Sequence, residues 1–134
     1  MTTQETLVIA KPDAVRRRLV GEILRRIEER ELLITDLRMM VIDEDLAGRH
    51  YEEHREKPFF AELVGFITSG PVVVARIEGA DAVSVVRDLM GPTDPKDAPP
   101  GTIRGDYGEV ITENLVHGSD SPESAKRELD LFFG

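Results

Sequence analysis

The sequence has no cysteine, which excludes disulfides and thiolate metal sites and weakly favours an intracellular origin. It also has no long apolar run. The longest, such as 72–75, fall far short of the roughly 20 residues that span a bilayer, so no membrane partner is expected. The first five residues are polar and run directly into a strand-like stretch, with no basic flank and apolar segment of the kind that directs secretion; the expected location is cytoplasmic. Positive charge is scarce, with 17 Lys and Arg against 26 Asp and Glu and a formal net charge of −9. Such a chain repels nucleic-acid backbone and anionic membrane on average, so any phosphate site must be a local basic cluster. A G-x-x-x-x-G-K-[ST] phosphate loop is absent, as are a G-x-G-x-x-G after a strand and the H-R-D and D-F-G signatures. The commonest nucleotide-handling and phosphoryl-transfer folds are thereby removed.

What is present reads as one domain over residues 1–134. At that length folding takes roughly two-thirds of the unfolded chain's surface out of water, and the 40% apolar content agrees with a real core. Residues 6–10 (TLVIA) form a β-branched, apolar run that stops at Lys11-Pro12-Asp13. From Leu19, apolar residues at Val20, Ile23, Leu24 and Ile27 predict a helix ending near Arg30. Residues 33–42 alternate, with Leu37, Met39 and Val41 on one face and Asp36 and Arg38 on the other. Two short helices follow over 43–54 and 59–68 as a hairpin, and Ser69-Gly70-Pro71 precedes a buried strand at 72–77 that belongs in the centre of a sheet. Ala82, Val85, Val86 and Leu89 share one face of a helix over 81–90. The proline- and glycine-rich stretch 91–106 predicts a long loop without helix or strand. A short strand over 114–117 and a helix from Ser121 to Phe133, with the serine cap and N1 proline of a helix start, complete the chain.

This order predicts an α+β fold: a ferredoxin-like βαββαβ sandwich, with a four-stranded antiparallel sheet, helices packed on one face, a helical hairpin insertion and a long loop. A parallel doubly wound sheet is the competing topology.

The groups suited to an anion are few: Lys11 at the end of the first strand, Arg87 on the helix 81–90, Thr93 in the long loop and Arg104 at its far end. Lys11 reads equally as a solvated turn lysine or as a cation pointing into a crevice. Arg87 reads as a snorkelling surface residue or as an anion ligand. Arg104 sits between Gly101 and Gly105, glycines that let backbone approach a ligand. His117 lies where the last strand ends, a position more often structural than catalytic. Two neighbours favour chemistry. Glu128 falls on or beside the apolar face marked by Ala125, Leu129 and Phe132, where an unpaired carboxylate is costly, and Ser119 is within reach of either residue. A neutral imidazole can attack phosphorus through one nitrogen while a carboxylate fixes the other. His50 and His54, at i and i+4, read as part of a solvated face without a metal.

Residues 114–121, NLVHGSDS, closely resemble the active-site signature of nucleoside diphosphate kinases. KPDAV at 11–15, LVGEI at 19–23, HYEEHREKPFF at 50–60, TSGPVV at 68–73, PGTIRGDY at 100–107 and SPESAKRELDLFF at 121–133 resemble the same family in the same order, and the resemblance covers essentially the whole chain. The chain ends soon after Phe133, as in short bacterial members.

The resemblance implies transfer of the γ-phosphate of a nucleoside triphosphate, typically ATP, to any ribo- or deoxyribonucleoside diphosphate in a ping-pong exchange. His117 is the implied nucleophile, Glu128 its orienting partner and Ser119 their support. Lys11, Tyr51, Arg87, Thr93, Arg104 and Asn114 are implied to hold phosphates and ribose, and Phe59 to stack on the base with Ile111 on its other side. Stacking without base-edge hydrogen bonds implies broad base tolerance. Mg2+ is the implied cofactor, held by phosphate oxygens and water with no direct protein ligand, and Asp120 is at most a water-mediated contact. A closed homo-oligomer is implied, a hexamer in preference to a tetramer or dimer. Two positions depart from the family's usual residues: Arg18 and Thr112 each stand where glycine is common.

A single-stranded RNA-binding module is the rival with the same topology, but it wants aromatics on exposed strand positions and a basic face. Aromatics make up only 5% of this chain, none falls on the predicted strands, and the net charge is of the wrong sign, so no sequence-specific nucleic-acid partner is expected. An inactive scaffold relative is expected to have lost the histidine or its cationic neighbours, and none is lost here.

Overall fold

The computed structural model describes residues 3–111 and 113–134. Its sheet has the order β2-β3-β1-β4, with β1 at Thr3–Ala10, β2 at Leu33–Met40, β3 at Val72–Ala80 and β4 at Val116–Gly118. All three pairings are antiparallel. The helices are α1 (Pro12–Arg16), α2 (Val20–Glu29), α3 (Glu44–His50), α4 (Phe60–Ile67), α5 (Ala82–Met90), α6 (Ile103–Tyr107) and α7 (Pro122–Phe133). This is the antiparallel ferredoxin-like arrangement, and the parallel alternative is excluded by the pairing. The stretch 72–77 is the start of an inner strand that runs on to Ala80, where β1 on one side and β2 on the other satisfy its backbone.

The crossover helices α2 and α5 pack together on one face of the sheet. There Val8 and Ala10 of β1, with Val73, Ala75 and Ile77 of β3, meet Ile23 and Ile27 of α2 and Val86 and Leu89 of α5. Residues of β1 one step out of phase point the other way, because strand side chains alternate. Leu7 and Ile9 join Val72 and Val74 in a second cluster, covered by Ala47 of α3, Ile67 of α4 and Leu129 and Phe132 of α7. The inserted helices and the C-terminal helix therefore cover the face opposite the crossover pair. Burial on both sides explains why β1 and β3 read as continuous apolar runs rather than alternating ones.

Several local expectations need correction. The turn after β1 contains the single helical turn α1. The stretch 91–106 is not wholly irregular: Asp94 caps a 3-10 turn at Pro95–Asp97, and the Thr102 hydroxyl accepts a hydrogen bond from the Gly105 N–H to start α6. The prolines that forbid a long helix here occupy the first turns or lie between them, where a missing N–H costs nothing. In β2 a bulge between Ile34 and Asp36 resets the alternation. The face carrying Leu37, Met39 and Val41 is uncovered, with those residues 49%, 64% and 62% exposed. The reason is position: β2 is an edge strand, and none of the three side chains joins either apolar cluster.

Arg18 adopts a left-handed backbone with φ 61°. The Leu19 N–H donates to the Ala14 carbonyl at 2.9 Å and the Arg18 N–H to the Val15 carbonyl at 3.1 Å, the bond pair of a Schellman helix stop. The turn between α1 and α2 thus forms despite the arginine, and its conformation explains why glycine suits the site. Thr112, the other departure, lies outside the described residues.

Candidate active site

His117 is placed by strand register. On β4 it stands opposite Ile9 of β1, while its neighbour Val116 stands opposite Ala10. Val116 therefore enters the core beneath α2 and α5, and the imidazole emerges on the face covered by α7. There it meets Glu128, one helical turn beyond Ser124 on α7. The His117 Nε2–H donates to Glu128 Oε1 at 2.9 Å, and the Ser119 hydroxyl donates to the same oxygen at 2.6 Å. Ser119 Oγ also accepts from the Leu7 N–H at 3.4 Å, which ties the carboxylate to the central strand. Burial pushes the Glu128 carboxyl up, but its bonds from His117 and Ser119 outweigh burial and hold the group below its ordinary value. Glu128 is therefore ionised and Nε2 carries a proton, so that in the neutral ring Nδ1 keeps a free lone pair.

The imidazole faces a cleft of about 620 Å3, and this cleft gathers Lys11, Tyr51, Phe59, Arg87, Thr93, Arg104, Ile111, Asn114, Asp120 and Glu128 around His117. Ser119 lies behind the wall, fully buried. The elements that deliver these groups are separate: the end of β1, α3, the segment before α4, α5, the loop after it, α6 and the segment before β4.

Lys11 and Asn114 are joined, with the lysine Nζ donating to the Asn114 amide oxygen at 2.9 Å. The Asn114 amide nitrogen in turn donates to the Thr93 carbonyl at 2.9 Å, so one buried side chain links the cation to the long loop. Burial and the neighbouring Arg104 charge lower the Lys11 ammonium to about 8, partly opposed by Asp13. Arg104 donates to the carbonyls of Gly91 (2.8 Å), Val116 (2.7 Å) and Asn114 (3.3 Å), binding the end of α5 to the strand that bears His117. Gly91 makes this possible, since its backbone turns at φ 86°, where a side chain is rarely tolerated. Arg104 keeps further N–H donors for the cleft, and burial with the nearby Arg87 charge lowers it to about 10. At the mouth, Phe59 and Ile111 are 42% and 53% exposed and line the cleft with apolar surface. The Tyr51 phenol is pushed up to about 12 by burial and then by Glu128, so it stays a neutral donor.

Two residues carry more than their sequence context suggests. Asp13 is buried at the start of α1, and its carboxylate accepts the Leu115 N–H at 3.1 Å. Its proximity to Lys11 was the only signal. His50 is not solvated as expected: it is 5% exposed, and its ring lies edge-on to His117 with centroids 4.6 Å apart. The charged neighbours on its helix hid the one face that turns inward. His54 lines the cleft near Phe59, with ring centroids 5.6 Å apart.

Comparison with known proteins is consistent along the whole chain. The family model described as nucleoside diphosphate kinase matches residues 4–134. A nucleoside diphosphate kinase of Rubrobacter xylanophilus is 63% identical over 131 residues, 98% of each chain. One from Sulfurisphaera tokodaii is 59% identical, over 99% of this chain and 90% of its own. Among solved structures, the Aquifex aeolicus nucleoside diphosphate kinase superposes with a TM-score of 0.97 at 43% identity, covering 99% of this chain and 96% of the other. A halophilic nucleoside diphosphate kinase from Halobacterium salinarum, solved in complex with CDP, gives 0.96 at 52% identity over 98% and 88% of the two chains. With its motifs in order, its antiparallel sheet and its full-length similarity in agreement, the chain belongs to the nucleoside diphosphate kinase family.

Proposed function

We propose that this chain, acting as one domain, transfers the γ-phosphate of a nucleoside triphosphate to a nucleoside diphosphate through a phosphohistidine at His117. The observation that carries the reading is the Nε2–H bond to Glu128, which leaves Nδ1 unprotonated at the edge of a cationic cleft. In the first half-reaction the Nδ1 lone pair attacks the γ-phosphorus, an N–P bond forms, and the bond to the β,γ-bridging oxygen breaks as the diphosphate leaves. The ring then carries positive charge, which Glu128 offsets through the retained Nε2 proton. An acceptor diphosphate reverses the steps. Because phosphoryl transfer depends mainly on positioning and charge stabilisation, Lys11, Arg87 and Arg104 act on the phosphates. Tyr51, Thr93 and Asn114 serve the phosphate and ribose end, with Asn114 also holding Lys11 in place. Phe59 and Ile111 accept the base between apolar faces, which suits ribo- and deoxyribonucleotides of every base.

Mg2+ fits this arrangement through the nucleotide. As a hard cation it takes oxygen ligands, and Glu128 stands beside the imidazoles of His50 and His117, a nitrogen-rich surrounding that does not suit it. Asp120 is exposed on the cleft and held ionised by its bond with Ser124, so it would take the ion through water. When bound, the ion shields phosphate oxygens and so favours attack by a neutral imidazole. The protein works in the cytoplasm, where free nucleotides are its substrates. A homohexamer is the proposed assembly, in preference to a tetramer. The uncovered β2 edge with Leu37, Met39 and Val41 supports self-association, since an apolar edge strand left open invites pairing with a second copy.

The test is incubation with terminally labelled ATP and no acceptor. Label is expected on the protein, stable to alkali, labile to acid, and discharged by GDP. Equal labelling of a His117→Gln variant would overturn the assignment of the nucleophile.

A further inference from the structure

His50 is a buried titratable group for which the reaction has no use. Both of its ring nitrogens are shielded from solvent and neither has a hydrogen-bond partner among the described residues. An orphaned buried polar atom is costly, and here two belong to one ring. The ring packs against aromatic neighbours, with Tyr51 at 4.6 Å and Phe132 at 5.5 Å between centroids. It lines the same cleft as His117. One ring nitrogen of His50, one of His117 and a carboxylate oxygen of Glu128 all lie within 4.8 Å of one another.

We propose that His50, His117 and Glu128 form a binding site for a divalent transition ion of the Zn2+ class, and that its occupation switches phosphotransfer off. Two imidazoles and one carboxylate make a set that borderline ions prefer and that Mg2+ does not. Bonds of about 2.0–2.1 Å in tetrahedral geometry place ligand atoms about 3.3 Å apart. The 2.9 Å between His117 Nε2 and Glu128 Oε1 is already close to that edge, so a small closure of the His50 ring completes three positions. The fourth faces the cleft and remains for water.

The consequence for chemistry follows from the tautomer. An ion on Nδ1 occupies the attacking lone pair directly. An ion on Nε2 displaces the proton there, and the neutral ring then carries its one proton on Nδ1, where it blocks attack on phosphorus. Ion binding and phosphorylation of His117 therefore oppose each other, because the phosphorylated ring is cationic and holds on Nε2 a proton that an ion must displace. The site itself rests on geometry alone; only the phosphoenzyme arm of the test rests on the proposed function.

Full-length protein is titrated with ZnCl2 by calorimetry and with CoCl2 by visible absorption, in the absence of nucleotide. One equivalent per chain is expected, with the intense d–d bands of tetrahedral Co2+. His50→Gln is expected to weaken binding at least about tenfold. Protein phosphorylated beforehand with ATP is expected to lose the site, and chelator is expected to restore labelling of zinc-treated protein. Absence of a stoichiometric site, octahedral weak bands alone, or equal affinity in His50→Gln overturns the proposal. Should His50→Gln fail to fold, the phosphorylated wild type decides instead: undiminished Co2+ bands in it count against the site. Failure of ATP to label the protein at all would count against the kinase reading and leave the ion titration independently readable.

Discussion

The Asp13 carboxylate accepts the backbone N–H of Leu115 at 3.1 Å, a bond between residues 102 positions apart. Leu115 is fully buried and held at φ 75°, a left-handed conformation costly for a leucine. The Lys11 N–H closes the other side by donating to the Leu115 carbonyl at 2.8 Å. Asn114 and His117 flank this kink, so the strain is localised where two cleft residues must point the same way.

Asp13→Ala is therefore expected to destabilise the protein by about 2–3 kcal/mol, because it leaves a buried donor unpaired. It is also expected to raise the nucleotide KM by about tenfold through misplacement of Asn114. Denaturant titration and initial-rate kinetics measure the two. Asp13→Asn keeps an acceptor oxygen and should recover most of both losses; a variant as damaged as the alanine would count against the hydrogen bond.

Glu128 fixes which nitrogen of His117 holds the proton. Glu128→Ala is expected to lower kcat on the order of a hundredfold while nucleotide affinity stays near normal. Unchanged turnover in single-turnover phosphorylation would remove its orienting role.

Lys11 sets a pH limit on binding. Its ammonium, lowered from 10.5 to about 8, is charged below about pH 8 and neutral above, so phosphate affinity falls as pH rises through that value. Bound phosphate favours the charged form, so nucleotide binding above pH 8 takes up a proton, visible as a buffer-dependent binding enthalpy. Stability responds with the opposite sign. Between about 8 and 10.5 the unfolded chain holds a proton the native chain lacks, so the contribution of Lys11 to stability rises with pH across that window. Lys11→Arg should remove the binding dependence between pH 7 and 9; a KM profile unchanged by the substitution would show that another group titrates.

Arg18→Gly is expected to stabilise the protein by about 0.5–1 kcal/mol, the relief of a left-handed non-glycine residue less the added freedom of glycine in the unfolded chain. Thermal unfolding at fixed protein concentration measures it. A lower melting temperature would mean that Arg18 makes interactions that offset its backbone strain.

Much of the fold was legible from local pattern. The helix over 81–90 and the capped helix from Ser121 came from apolar spacing and end signals that act within a few residues. The turns inside 91–106 were missed because Asp94 and Thr102 cap them through short-range bonds that look, in sequence, like ordinary loop polarity. Arg104 was singled out as an anion ligand, but its three bonds to the Gly91, Asn114 and Val116 carbonyls depend on segments that meet only after folding. The exposure of Leu37 and Met39 was illegible for a similar reason: alternation groups residues onto a face but does not say whether anything covers it.

The chain's residue types and their order determined by themselves the succession of strands and helices, the motif around His117 that resembles a nucleoside diphosphate kinase signature, and that no thiol takes part. Those properties follow from periodicity, from motif and from composition, each read along the chain. Tertiary structure alone decided that His50 turns inward against His117, that Asp13 pins Leu115, and that His117 and Ser119 both donate to one carboxylate oxygen of Glu128. These are distances between residues far apart or on different elements, and packing of the two sheet faces sets them.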